Sequence, residues 1–301
     1  MEFDCQQFRQ ELQKRKEFVD GCLEQYLSDR DAFPPVIHQA MHYAVFNGGK
    51  RLRPILVFEG ASLAGGDRSS VVPAACALEM IHSYSLVHDD LPAMDDDDFR
   101  RGKPTCHRVY GEANAILTGD ALLTRAFAML AQNRQIPGVD PLRVLRVIEE
   151  VSQAAGSRGM VGGQVLDLES EGKILDEPGL ETIHRLKTGE LFKAALRAGA
   201  LLAGMDEAKL NCLDSYARGF GLAFQITDDI LDVKGDEALI GKPVGSDEKN
   251  NKITYPRLYG LEGAWVLARE NVEACLNSLQ GFGESADFLR RLALFLLERD
   301  S

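Results

Sequence analysis

The sequence lacks any cysteine pair spaced for metal or redox work. Its six cysteines (Cys5, Cys22, Cys76, Cys106, Cys212 and Cys275) are scattered, and none forms a CxxC pair, which argues against a zinc site. A chain of 301 residues needs no disulfides to hold a core, so these thiols are expected to be reduced packing residues. No apolar stretch approaches the ~20 residues needed to cross a bilayer. The first twenty residues are charged and lack an apolar signal core. These absences lead to the expectation of a cytoplasmic protein with no stable membrane insertion. A basic surplus is missing too: the net charge is −12, which argues against nucleic acid as a partner. Convincing strands and low-complexity linkers are also scarce.

What is present is helical periodicity. Apolar residues recur at three- and four-residue spacing nearly everywhere, the pattern of amphipathic helices. It predicts helices over about 4–28, 36–47, 54–65, 71–91, 112–133, 141–157, 159–170, 180–203, 206–234, 262–279 and 285–298. Phe33-Pro34-Pro35 separates the first two, and Asp140-Pro141 reads as an N-cap followed by proline at the first helical position. Gly204 is placed to end the helix that begins near 180. The helices at 71–91, 112–133, 180–203 and 206–234 are apolar on more than one face and belong in an interior. The fold class expected is all-α, one domain over residues 1–301, with ten or more helices around a central substrate cavity. Segment 235–252, rich in glycine and charge, reads as a mobile loop over a site.

Nine of the acids lie in two clusters, and without them the charge balance is only −3. The first runs His88-Asp89-Asp90-Leu91-Pro92-Ala93-Met94-Asp95 and on through Asp98; the second is Gln225-Ile226-Thr227-Asp228-Asp229-Ile230-Leu231-Asp232. Each ends a strongly apolar helix. Mg²⁺ prefers carboxylate oxygens and shares its shell with water and substrate phosphates. Two facing clusters can therefore hold several Mg²⁺ ions around one diphosphate, whereas a single acidic run is usually a solvated surface. Asp228 and Asp232 share a helix face, with Gln225 on the same stripe. Asp89 and Asp95 would sit roughly 120° apart on an ideal helix, but Pro92 ends or deforms it and lets both carboxylates converge. Of Asp96, Asp97 and Asp98, at least two are expected to be solvated or paired with Arg100 and Arg101.

Cations flank these acids. Gly48-Gly49-Lys50-Arg51-Leu52-Arg53-Pro54 is a basic loop leading into a helix, and Arg100-Arg101-Gly102-Lys103 follows the first cluster. Lysine and arginine are the usual donors to phosphate. Taken alone such a turn is commonly plain surface; beside acidic blocks it suits a Mg²⁺-bound diphosphate bridging the two. His82 lies seven residues before Asp89, on its face, and is either a packed or a site histidine. Lys187 and Thr188 interrupt an apolar helix, where a lysine either snorkels outward or faces an interior cavity.

Together these motifs resemble the trans-isoprenyl diphosphate synthases. Asp89-Asp90-x4-Asp95, Asp228-Asp229-x2-Asp232 and the upstream Gly-Gly-Lys-Arg-Leu-Arg-Pro occur in that family's order, and Leu-Val-His-Asp-Asp-Leu-Pro-Ala-Met-Asp-Asp-Asp-Asp is most similar to its bacterial farnesyl diphosphate-forming members. The resemblance implies an isoprenoid-synthase-type helical fold and a homodimer, with helices such as 112–133 at the interface. It implies Mg²⁺, three ions per site with substrate bound, on Asp89, Asp95 and Asp228, supported by Asp90, Asp229 and Asp232. Lys50, Arg53, His82 and Arg101 match the isopentenyl diphosphate site. Arg100, Lys187, Thr188, Gln225, Lys242 and Lys252 match groups holding the allylic diphosphate, dimethylallyl or geranyl. Lys187, Thr188 and Gln225 also match groups near the developing carbocation, which with Asp89 and Asp228 form the catalytic set. The implied reaction is head-to-tail condensation to (2E,6E)-farnesyl diphosphate with release of diphosphate. Tyr84, five places before the first aspartate, matches the family's chain-length floor, with Ser85 beside it. Some relatives end in a basic tail that closes the site; this chain ends Leu297-Glu298-Arg299-Asp300-Ser301, and no closing role is assigned to it.

Four alternatives fit less of the pattern. A geranylgeranyl diphosphate synthase would share the chemistry but make a C20 product. A class I terpene cyclase shares the fold but carries an Asn/Ser/Glu motif where this chain has Asp228-Asp229-x2-Asp232. A non-catalytic synthase subunit generally loses one aspartate motif, and both are here. A metal-buffering helical protein would leave Lys50, Arg53, Lys187 and Gln225 unexplained.

Overall fold

A computed structural model describes residues 3–173, 176–234 and 253–299. The loop expected at 235–252, with Lys242 and Lys252, lies outside the described residues. The rest is almost wholly helical, in the order α1 Cys5–Tyr26, α2 Pro35–Val45, α3 Leu52–Leu63, α4 Val72–Asp89, a hairpin of β1 Phe99–Arg100 and β2 Lys103–Pro104, α5 Cys106–Tyr110, α6 Glu112–Gln132, α7 Pro141–Ala155, α8 Met160–Ser170, α9 Glu177–His184, a π segment Arg185–Gly189, α10 Glu190–Leu202, α11 Glu207–Lys234, α12 Tyr255–Ser278 and α13 Asp287–Phe295.

The boundaries follow local chemistry. Asp140 Oδ1 accepts the Leu142 N–H at 2.9 Å and Pro141 opens α7, as its sequence predicts. Asp4 and Asp176 cap α1 and α9 in the same way. Gly204, at φ 91°, follows the end of α10.

The two helices at the centre are α4 and α10. Leu78, Met80, Ile81, Leu191, Leu196 and Ala200 have no more than a trace of exposed surface. One expectation needs correcting here. Arg68–Asp89, 22 residues, is by length and composition able to span a bilayer, although 72% of its most apolar window is buried inside the protein. Its apolarity serves the interior, since α4 packs against both α3 and α6.

α3 and α10 cross at backbone contact. A Cβ on Gly199 would lie 1.8 Å from the Val57 carbonyl oxygen, and one on Gly60 would lie 2.1 Å from that of Leu196. This crossing brings Arg53, in the first turn of α3, over the Phe192 ring of α10 at 4.6 Å. The structure differs from the sequence reading at three places. The helix expected over 180–203 is broken by the π segment. The helix expected from 262 starts at Tyr255 and bends at Gly260. The β hairpin and α5 were not foreseen, because two-residue strands and a five-residue helix carry no readable period.

Gly199→Ala is expected to destabilise the fold by about 2–3 kcal/mol, the upper range for overpacking, because the atoms it meets are backbone and have nowhere to go. Urea denaturation measures this.

Candidate active site

The glycines of the Gly48-Gly49 turn have a steric reason. They adopt φ 103° and 122°, and a Cβ on Gly49 would fall 2.6 Å from Arg101 Nη1. Arg101 donates to the Gly48 carbonyl. It stands at φ 54° with Gly102 at 74°, the turn that closes the β1–β2 hairpin. The basic loop is thus docked onto the hairpin, and four cations gather around His82. Burial first, then repulsion by Arg53, Arg101, Arg100 and Arg51, hold the imidazole well below its ordinary pKa, so it is neutral. Arg53 is pushed down to about 10 by burial, and its Nε has no hydrogen-bond partner. Lys50 keeps surface in solvent, yet its ammonium falls to about 8: lost hydration and repulsion by Arg299 outweigh the pull of Asp228. Arg51, between these two, belongs to the scaffold; it is buried and bonded to Asp20, Glu79 and the Val45 carbonyl, each at 2.7 Å.

The first aspartate cluster forms where α4 ends, as Pro92 predicted. The Asp95 N–H donates back to the Asp89 carbonyl at 2.9 Å, folding the two residues onto each other. The Asp89 carboxyl rises to about 6: burial and the charge of Asp95 exceed the attraction of Lys187. Asp90 is turned to Arg100, whose Nε lies 2.6 Å from its Oδ1. Asp97 lies 3.7 Å from Arg100, Asp98 is 3.2 Å from Arg108, and Asp96 is exposed.

Opposite stands the π segment. Gly163 of α8 lies so close that a Cβ there would meet the Lys187 nitrogen at 2.3 Å, and Gly221 of α11 touches Gly189 on the other side. Lys187 Nζ reaches Asp167 Oδ2 at 2.7 Å. Thr188 Oγ1 donates to Gln225 Oε1 at 3.3 Å, and Gln225 Nε2 to Asp229 Oδ1 at 3.1 Å. Asp229 is buried and its other oxygen accepts the Tyr255 N–H that opens α12. Asp228 remains partly exposed, and Asp232 follows one turn on along the same face. A cleft of about 110 Å³ lies here, lined by Asp167, His184, Lys187, Gln225, Asp229 and Thr254 among others. Lys187 lies within electrostatic reach of Asp89, so this chain of groups joins the two clusters.

Sequence reasoning missed four residues. Gln164 of α8 has both amide atoms buried without partners. Asp167 holds Lys187, and the signal for both was Gly162-Gly163-Gln164-x-x-Asp167, a polar stripe with glycines in a predicted helix. His184 is half-buried, drawn down to about 4 by lost hydration, stacked on Tyr255, and 4.0 Å from Asp229. The fourth corrects the reading of the C-terminus. Arg299 folds into the site, 2.6 Å from Asp228 Oδ1, bonded to the Phe224 carbonyl and Thr227 Oγ1, and 4.4 Å over the Phe224 ring. A lone arginine in a mixed-charge tail gave no signal for this.

Residues 34–288 match the Polyprenyl synthetase family. The chain belongs to that family. It is 46% identical to a farnesyl diphosphate synthase of Geobacillus stearothermophilus, over 96% of this chain and 97% of that one. A geranylgeranyl diphosphate synthase of Cyanophora paradoxa is 44% identical over 96% of both. The solved structure of an FPP/GFPP synthase from Zymomonas mobilis superposes with a TM-score of 0.86 at 36% identity, covering 98% of this chain and all of the other.

Polyprenyl synthetases are metal-dependent, and the donor set here suits a hard cation. Asp89 is short of neutralising charge, and Asp228 has recruited a guanidinium to its oxygen. Among the described residues no three acidic, histidine or cysteine side chains form a closed metal cage.

A carboxyl that binds its proton more tightly folded than unfolded favours the fold while protonated. That contribution is complete below the ordinary carboxylate range and is lost as pH rises through about 6 for Asp89. Asp89→Asn is therefore expected to stabilise the metal-free protein at pH 8 by on the order of 1–2 kcal/mol and to give no gain at pH 4. Denaturant titrations at both pH values test the sign.

Proposed function

We propose that this protein is a Mg²⁺-dependent farnesyl diphosphate synthase, a single all-helical domain that works in the cytoplasm as a homodimer. It adds isopentenyl diphosphate to dimethylallyl and then geranyl diphosphate, releasing diphosphate at each step. The observation that carries the reading is the chain from Asp89 through Lys187, Thr188 and Gln225 to the second aspartate cluster, beside a separate pocket of cations.

The two kinds of charge divide the work. Lys50, Arg53, Arg101 and neutral His82 hold the isopentenyl diphosphate, whose reacting carbons carry no charge until attack. Asp89, Asp95 and Asp228 would hold the Mg²⁺ ions, three with the allylic diphosphate bound, and Asp90, Asp229 and Asp232 would support them. Bound Mg²⁺ supplies the positive charge that turns diphosphate into a leaving group. Lys187, fixed by Asp167, adds a cation where the departing oxygens gather charge, and Arg100 adds a second. Thr188 and Gln225 present oxygens beside the carbon that becomes cationic. Phe192 and Phe224, whose rings meet edge to face at 5.3 Å, would give the cation an apolar wall against water, which would otherwise trap it. The alkene of isopentenyl diphosphate attacks that carbon, a C–C bond forms, and the released diphosphate takes the proton.

A C20 product is the second reading, favoured by the Cyanophora paradoxa relative. Tyr84 supports C15: its ring is buried on α4, five residues before Asp89, as a floor to the growing chain would be. For the dimer, α6 presents Ile116 and Leu117, 46% and 55% exposed, and α7 presents Leu142 and Leu145 at 72% and 62%.

Purified protein given dimethylallyl diphosphate, labelled isopentenyl diphosphate and Mg²⁺ is expected to yield farnesol after dephosphorylation; geranylgeraniol as the main prenol would favour the second reading, and absence of any elongated prenol would reject both. Tyr84→Ala is expected to shift the main product to C20 or longer. Light scattering on the eluting protein should return twice the mass of the 33.1 kDa chain, and Leu117→Arg should lower it to one.

A further inference from the structure

The reading of Tyr84 as a floor treats it as a lone side chain, but its ring does not stand unsupported. His88 follows it by one turn of α4, and the two rings meet edge to face with centroids 5.7 Å apart and planes at 82°. His88 Nε2 lies 3.0 Å from the Ile116 carbonyl oxygen of α6. A carbonyl only accepts, so Nε2 carries the hydrogen and the imidazole is pinned to the neighbouring helix. Gly119, on the same helix, supplies the space. A Cβ there would fall 2.1 Å from Nε2, 2.4 Å from Cδ2 and 2.8 Å from Cε1 of the imidazole. The ring occupies the volume that any other residue at 119 would fill.

We propose that His88 is a positioning residue for product length: seated on Gly119 and bonded to Ile116, it fixes the Tyr84 ring, so that the stop is a wedge built jointly by α4 and α6. The inference rests on the synthase reading and on Tyr84 as the floor. On this reading α6 acts on product length through His88. Because the atoms a Gly119 side chain would strike belong to the movable end of His88 and not to backbone, Gly119→Ala swings the imidazole away and leaves the helices in place. The ring edge on Tyr84 matters more than the hydrogen bond, since tyrosine loses its stop only when free to rotate.

The test compares prenol length for wild type, Tyr84→Ala, His88→Ala, Gly119→Ala and His88→Phe, with melting temperature measured for each. His88→Ala and Gly119→Ala are each expected to raise the C20-to-C15 ratio at least tenfold, whereas His88→Phe, which keeps a ring edge but cannot bond Ile116, retains C15. If Tyr84→Ala lengthens the product while His88→Ala and Gly119→Ala both keep C15, the wedge is wrong and the single-residue floor stands. If Tyr84→Ala itself keeps C15, the floor reading fails and the wedge with it. A fall in melting temperature without a change in prenol length assigns His88 to packing alone and overturns the proposal. The two α4–α6 variants act from different helices, so a folding failure of one leaves the other to decide.

Discussion

Carboxylates held partly dehydrated at the ends of apolar helices are the constraint around which this structure is arranged. Burial alone would force Asp89 to keep its proton or would unfold the segment that carries it. The surrounding groups answer that cost in different ways. Asp90 is matched by Arg100, Asp229 by the amide that opens α12, Asp167 by Lys187 and Asp228 by Arg299. Asp89 keeps a deficit that raises its carboxyl to about 6, and Lys187 on the opposite side attracts it. The basic groups of the Gly48-Gly49 loop and the hairpin have the reverse problem. Arg53 and Lys50 lose hydration and are both repelled by Arg101, while His82 among the arginines stays neutral. Each half of the site is thus under electrostatic tension that the opposite charge of a metal diphosphate would relieve, the arrangement expected where binding energy is directed to charge developing in the transition state.

Much of this was legible in the sequence. Three- and four-residue periodicity placed the long helices, because burial of one face dictates it. The proline after Asp90 announced the break that folds Asp95 back. Residues whose chemistry is intrinsic, such as Lys50 or Asp228, could be singled out by type and spacing. What stayed hidden were relations between distant segments. The sequence shows Gly49 as a glycine but not that Arg101 lies on it. It shows Asp229 in an acidic motif but not that its oxygens are committed to Gln225 and Tyr255. Arg299 looks like any terminal arginine until the tail is folded over Phe224. These facts arise from packing, to which local propensity is blind.

Glycine is used here mainly as absent volume. Gly60 and Gly199 let two central helices touch, Gly163 lets α8 lie on the π segment, and Gly119 makes room for an imidazole. Each such contact shortens the distance between chemically important side chains on different helices. The site is accordingly built of rigid elements in close apposition.

The π segment has a consequence for how this helix can vary. A π turn amounts to one residue more than an α-helix of the same span requires. Deleting any one of residues 185–189 would let α9 and α10 merge into a regular helix with the phase of both halves nearly kept. Forcing all five into α-helical geometry without a deletion would instead rotate everything on one side of the join by about 100° relative to the other. Leu180 and Ile183, now buried, would then leave the interior, or Leu191 and Phe192 would. The surplus residue is a seam in the register: a single deletion there preserves the phase of both halves, and loss of the π turn with the residue kept preserves neither.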